Sequence, residues 1–290
     1  FNSSQSDFRP PFCSLRQTDM KLMLKVKIGF TTFIAVRSFQ NSPSDRSMAT
    51  SWLSSLYNIK GSSTALAARI TAADVLKNPT WPDKWPFSPR DFSRQDESTD
   101  TNFYDQPRLV YHIDDSAVQA LTKYYKSVFV NDANILDICS SWVSHFPSDL
   151  KFKKSIGLGM NEYELSKNKQ LTEYVVKDLN KDPTFPFSEN TFDFVTCVVS
   201  VDYLTRPLEV FKEINRVLKP GGLAIMSQSN RCFPTKAINI WLNTNDLEHI
   251  FIIGSYFHYA GGFEKPESLD ISPNPGRSDP MFIIQARKQA

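Results

Sequence analysis

Residues 192–222 restrict the possible folds more than any other part of this chain. The stretch opens with Phe-Asp-Phe-Val-Thr-Cys-Val-Val-Ser over 192–200, a nearly unbroken apolar and β-branched run suited to a strand buried on both faces. Residues 208–218 then place Val210, Phe211, Ile214, Val217 and Leu218 on one side of a helix. Lys219-Pro220-Gly221-Gly222 ends that helix, because Pro220 cannot extend it and the two glycines reach the positive φ of a reversal. A strand over 223–227 follows. Strand, crossover helix and strand in such close succession make a parallel pair.

The same alternation runs upstream. Apolar stretches at 134–139, 155–160 and 174–176 read as three strands, with a helix at 162–168 between the second and the third. Before them, Val118, Leu121, Tyr125 and Val128 recur at helical spacing, with Asp114, Asp115 and Ser116 placed to cap the helix. Downstream the pattern predicts a helix over 235–247. Strands at 250–253 and 281–284 come next, joined through a Gly261-Gly262 turn and a Pro-rich loop as an antiparallel edge. The fold class is therefore α/β, a mainly parallel sheet with helices on both faces.

With 290 residues, 41% apolar and 22% charged, the chain has material for one large domain plus extensions. A net charge of +2 gives no general attraction to nucleic acid or anionic membrane. Cys13, Cys139, Cys197 and Cys232 form no Cys-x-x-Cys pair and read as free thiols, and the four histidines show no metal-ligand spacing. No metal is expected. The apolar stretch over 28–36 is too short to span a bilayer, which takes ~20 residues. Residues 1–60 lack Glu, carry only three Asp, and are rich in Ser, Lys and Arg. They read as a poorly ordered leader: either a plastid or mitochondrial targeting peptide or an extension ahead of a start at Met48, in which case the cytoplasm is the expected compartment. Residues 61–110 read as an irregular arm whose Trp81, Trp85 and Phe87 clamp onto a domain surface, and 111–290 as the main domain.

Asp178-Leu179-Asn180, then 185–193 (Phe-Pro-Phe-Ser-Glu-Asn-Thr-Phe-Asp), Tyr203-Leu204-Thr205-Arg206-Pro207 and 213–222 (Glu-Ile-Asn-Arg-Val-Leu-Lys-Pro-Gly-Gly) resemble, in order and spacing, the class I S-adenosylmethionine-dependent methyltransferases, nearest their type 11 branch. The resemblance covers roughly residues 110–288. It implies a Rossmann-like, seven-stranded, mostly parallel sheet with an antiparallel C-terminal strand, and S-adenosyl-L-methionine as cofactor. It also assigns residues to the cofactor. Asp178, with Leu179 beside it, falls where the family's acidic side chain meets the adenine amino group. Asp137 stands at the end of the first strand.

Two departures stand out. The loop after Asp137 reads Ile138-Cys139-Ser140-Ser141-Trp142 where the family has a glycine-rich loop, so Cys139, Ser140 and Ser141 are the expected contacts to the methionine part. Gly159 occupies the usual place of the ribose-binding acid, which leaves Asn161 or Glu162 as substitutes. For methyl transfer, Asp202 is the expected base with Tyr203 beside it, and further acceptor contacts are expected near Asn230 and over 256–259. No Asn-Pro-Pro-Tyr follows the fourth strand, which argues against methylation of nucleic acid and leaves a small molecule, or else a protein side chain, as acceptor. The alternative from a different class is a catalytically inactive binding or assembly module that keeps the methyltransferase fold.

Overall fold

The structure, a computed structural model, describes residues 70–290, so the expected leader lies outside the described residues. The chain begins with an arm: helix α1 (Ala72–Val75), a 3₁₀ turn (Pro89–Phe92) and helix α2 (Asp100–Tyr104). Helix α3 (Asp115–Val128) follows, capped by the Asp114 side chain, which accepts from the Ala117 amide. Then come β1 (Asn134–Ile138), β2 (Lys154–Gly159), α4 (Glu162–Lys167), β3 (Glu173–Val176), β4 (Phe192–Val198), a 3₁₀ turn (Val201–Tyr203), α5 (Pro207–Val217) and β5 (Leu218–Gln228). Short α6 (Asn239–Leu242), long α7 (Asp246–Ala260), β6 (Glu267–Asp270) and β7 (Phe282–Arg287) complete the chain.

The seven strands form one sheet in the order β3-β2-β1-β4-β5-β7-β6. Strands β1 to β5 are parallel; β7 runs antiparallel to both β5 and β6. Successive residues of each central strand feed opposite faces, as the two-residue repeat of a strand requires. Leu136, Val195, Ala224 and Met226 join a large core with α5, α7 and the arm, whereas Ile135, Phe194, Leu223 and Ile225 pack against α3. Helices cover both faces in consequence.

The last third departs from the sequence expectation. Residues 250–253 lie inside α7 and are not a strand, and the helix expected over 235–247 is replaced by α6 and the start of α7. Asn245 and Glu248 form a capping box that starts α7 there, and residues 249–257 are all buried, so the helix carries no polar stripe to betray its period. The edge partner of β7 is β6, a short strand with one buried residue that gives little signal in the sequence. The expected turn lies within β5, where its pairing with β4 shifts register, and Gly221 there has the expected positive φ of 75°. Gly222 does not; a Cβ there would lie 2.9 Å from the Lys219 carbonyl oxygen. Cys139 and Cys197 are free thiols, whereas Cys232 is disulfide-bonded.

The arm clamps onto α7. Trp81 stacks on Phe251 and His258 at centroid distances of 4.7 and 5.0 Å, Trp85 packs edge-on to Tyr259, and the Tyr259 hydroxyl donates to the Pro82 carbonyl. Helix α1 sits directly over Gly254, where a Cβ would lie 2.5 Å from Leu76 Cδ2. Gly→Ala inside a helix ordinarily gains close to 1 kcal/mol. Here Gly254→Ala should instead lower unfolding free energy by about 1–3 kcal/mol through overpacking. In urea titrations, Leu76→Ala should cost less in the Gly254→Ala background than in the wild type.

Candidate active site

The strand order reverses between β1 and β4, and ligands of open α/β sheets bind beyond the strand ends at that point. A cavity lies there. Its walls come from the loop after β1, the end of β2, the loops after β3, β4 and β5, and the arm.

The loop after β1 is organised around a buried carboxylate. Asp137 is 2% exposed; its Oδ2 accepts from the Ser140 and Ser144 hydroxyls, both at 2.7 Å, and its Oδ1 from the Thr196 hydroxyl at 2.8 Å. Burial raises its pKa to about 6, against the downward pull of the three hydroxyl donors. With this anchor the loop makes its turn without glycine. Cys139 takes φ of 52° and His145 φ of 57°, a left-handed conformation that costs an L-residue roughly 1–2 kcal/mol. The glycine stands on the neighbouring strand: a Cβ on Gly159 would lie 2.0 Å from the Ser140 carbonyl oxygen. The Ser140 hydroxyl thus serves Asp137, while Cys139, Ser140 and Ser141 all line the cavity, as does Asp137.

Close approach of the loop also rules out an acid at position 159. Asn161, the first expected substitute, lines the cavity but is used by the protein. Its Oδ1 caps α4 by accepting from the Glu164 amide, and its Nδ2 donates to the Tyr104 and Asp105 carbonyls. Glu162 is exposed on α4 and does not line the cavity. Glu164 does: one oxygen accepts from the Arg108 amide at 2.6 Å, and burial raises its pKa. The signal was helical geometry, since the third residue of a helix that starts at a strand end faces back over that end. Beyond β3, Leu179 is buried and Asp178 half-buried, and both line the cavity. Asp178 Oδ1 accepts from the Asn180 and Lys181 amides, which fixes the carboxylate in place.

On the other side of the cavity Tyr203 is half-buried, and its hydroxyl accepts from the Phe233 amide at 2.8 Å. Asp202 does not reach the cavity. It is 3% exposed, burial holds its carboxyl well above the usual range, and its Oδ2 has no hydrogen-bond partner among the described residues. Position after a strand end did not reveal that the 3₁₀ turn there rotates Asp202 inward and Tyr203 outward. Asn230 and residues 256–259 also lie outside the lining; Tyr256 packs among Trp85, Phe87, Phe92 and Phe211 instead.

The arm supplies the wall that sequence reading missed, with Tyr104, Arg108, Tyr111 and His112 facing the strand ends. Arg108 lies over the rings of Phe103 and Phe233, 4.6 and 5.4 Å from their centroids. Trp142, on the loop after β1, donates to the Val110 carbonyl and stacks on Tyr111. A buried ionic node fastens this wall. Fully buried Lys236 reaches the Asp100 carboxylate at 3.2 Å and the Ser98 carbonyl at 2.7 Å, and Arg94 meets the same Asp100 oxygen at 2.6 Å. Asn180 donates to the other Asp100 oxygen and to the Tyr203 carbonyl.

Residues 143–226 match the family model described as a methyltransferase domain. Over that stretch the chain is similar to the methyltransferase-domain family. The matched region begins after the glycine-free loop. A cycloartenol-C-24-methyltransferase of Oryza sativa subsp. japonica is 38% identical over 74 residues, which cover 22% of this chain and 21% of that protein. A demethylmenaquinone methyltransferase of Staphylococcus aureus (strain JH9) is 34% identical over 77 residues, 26% of this chain and 32% of that protein. The chain therefore spans a third or less of the length of these curated relatives. Among solved structures, a putative S-adenosylmethionine-dependent methyltransferase of Listeria monocytogenes is 15% identical, with a TM-score of 0.43 over 59% of this chain and 99% of that one.

Asp137 makes stability depend on pH. Its folded pKa of about 6 exceeds the ordinary 3.8, so its contribution is complete below the lower value and lost as pH rises through the upper one. The loss between the two is on the order of 3 kcal/mol. Urea titrations at pH 4 and 7 should show a smaller pH difference for Asp137→Asn than for the wild type. The slope that persists belongs partly to Asp246, whose pKa is also raised to about 6 by burial.

Proposed function

We propose that this chain is an S-adenosylmethionine-dependent methyltransferase acting on a small-molecule acceptor. The observation that carries the reading is the cavity at the reversal of strand order, where the anchored loop of Asp137, the Cβ-free end of β2 and the fixed Asp178 carboxylate converge. These residues fit the cofactor. Asp178 and Leu179 would hold the adenine, Glu164 the ribose in place of Asn161 or Glu162, and Cys139 to Ser141 the methionine part through their backbone. The bound cofactor would supply an electrophilic methyl group on a sulfonium. The chain's own part is to hold the acceptor in line and keep water away, and alignment alone can supply a large share of the acceleration. Tyr104, Tyr111, Tyr203 and Phe233 give the cavity aromatic walls, which suits a small planar molecule. The similar stretches of a cycloartenol-C-24-methyltransferase and a demethylmenaquinone methyltransferase support the same class.

The glycine-free loop favours a second reading, a methyltransferase fold retained as a binding or assembly module. Titration calorimetry with S-adenosylmethionine and S-adenosylhomocysteine separates the two, and no heat of binding up to millimolar ligand would sink the enzyme. Asp178→Ala should weaken cofactor binding roughly ten- to a hundredfold, the worth of a charge-assisted hydrogen bond. Lys219→Ala should leave affinity within twofold, because Lys219 pairs with both oxygens of Asp193, away from the cavity. Equal losses in folded protein would refute this division.

A further inference from the structure

A hydroxyl or amine acceptor must shed a proton when it is methylated, and the position expected to supply the base, Asp202, does not face the cavity. The carboxylates that do face it are already engaged. Asp137 accepts from three hydroxyls, Asp100 is shared by Lys236, Arg94 and Asn180, Asp178 caps its own loop, and Glu164 holds the Arg108 amide. The Tyr203 hydroxyl accepts from the Phe233 amide, and Lys177 is paired with Asp182.

Two imidazoles line the cavity. His145 belongs to the cofactor loop, its ring against Tyr111 at 5.6 Å. His112 precedes α3, edge-on to Phe233 at 5.5 Å. Its Nδ1 is buried with no hydrogen-bond partner among the described residues, and no other residue lining the cavity has such an atom. Burial and the Arg108 charge lower its pKa to about 4, so the ring is neutral at physiological pH; the same shift makes it a weak base, which takes the proton only as the oxygen acquires positive charge during methyl transfer. The charged and titratable groups around it are Arg108 on its own segment, His145 on the loop after β1, Tyr203 after β4 and Arg231 after β5, which lines the same cavity.

Resting on the methyltransferase reading, we propose that His112 accepts the proton of the acceptor and that the acceptor is an aromatic hydroxyl compound held between the rings of the arm and Phe233. The acceptor class follows from the wall. Tyr104, Tyr111 and Phe233 offer faces and edges to a planar ring, and the Arg108 guanidinium favours a developing phenolate while repelling a cationic amine. In the step itself, an oxygen lone pair forms the bond to the methyl carbon as the carbon–sulfur bond breaks and its electron pair leaves with sulfur as a thioether. The hydroxyl proton passes to the imidazole and from there to water. Positive charge vanishes at sulfur as it appears at His112, so the charge held in the cavity is unchanged.

The test uses p-cresol as the phenol and 4-methylanisole, which lacks the hydroxyl proton, as control, with S-adenosylhomocysteine bound first. Calorimetric binding of S-adenosylhomocysteine secures the underlying reading independently of the outcome below. In ring-nitrogen NMR spectra assigned by loss of signal in His112→Gln, p-cresol should perturb the His112 resonances and 4-methylanisole should not. With labelled S-adenosylmethionine, methyl transfer to p-cresol should fall about a hundredfold in His112→Gln, the usual worth of a positioned base, while S-adenosylhomocysteine affinity stays within twofold. Cofactor binding without any transfer to p-cresol by the wild type would overturn the acceptor class. An unperturbed His112, or an unchanged rate in His112→Gln, would overturn the base.

Discussion

A single buried carboxylate governs the shape of the loop after β1 and of the cavity wall it forms. Three hydroxyls from two loop serines and one β4 threonine converge on Asp137, and they fix a turn that glycine would otherwise make possible. The left-handed backbone at Cys139 and His145 is held by these bonds and by the amide of Ser140 on the Leu158 carbonyl. Strain of this kind persists only where surrounding contacts over-determine it. Val199, a β-branched residue with φ of 40° at the end of β4, adds a second strained point on the same cavity. The two strand ends that flank the reversal of strand order therefore both carry conformations that an isolated chain would avoid.

The second constraint is ionic. Burying the Lys236 ammonium completely costs several kcal/mol unless it is matched, and the match comes from Asp100, the Asp96 side chain and two backbone carbonyls of the arm. Removal of Asp100 would leave Lys236 with Asp96 as its one carboxylate among the described residues, and Arg94 with Glu97 at 3.6 Å. Asn180 makes the node part of the site, since its amide bonds Asp100 and the Tyr203 carbonyl while its Oδ1 accepts from Thr205. The loops after β3 and β4 are thus tied to one another through a residue of the arm.

How much of this was legible depended on how local each determinant is. Strands β1 to β5, α5 and the Pro-Gly-Gly stretch within β5 announce themselves by period and by Pro-Gly chemistry within a few residues. Helix α7 did not, because burial on every side erases the polar face that would reveal a helix, and Ile250-Phe251-Ile252-Ile253 is as good a strand as a helix by composition. In the site, Asp178, Leu179 and the loop over 139–141 line the cavity because they follow strand ends directly. Asn161, Glu162 and Asp202 depend on which way one turn of backbone points, which spacing alone does not fix. The arm's wall depends on a contact between residues 140 positions apart, from Asp96 to Lys236, and nothing near either residue foretells it.

That division of labour has an evolutionary side. The surfaces expected to meet the cofactor sit on strand ends that the sheet itself positions, whereas most of those expected to meet the acceptor come from one contiguous stretch between Asp100 and Ile113. Changes confined to about a dozen consecutive codons can therefore reshape what the pocket admits while the sheet, the anchored loop and the Asp178 corner stay as they are. A lineage can explore new acceptors along that stretch at little risk to folding, provided the buried partner of Lys236 is kept.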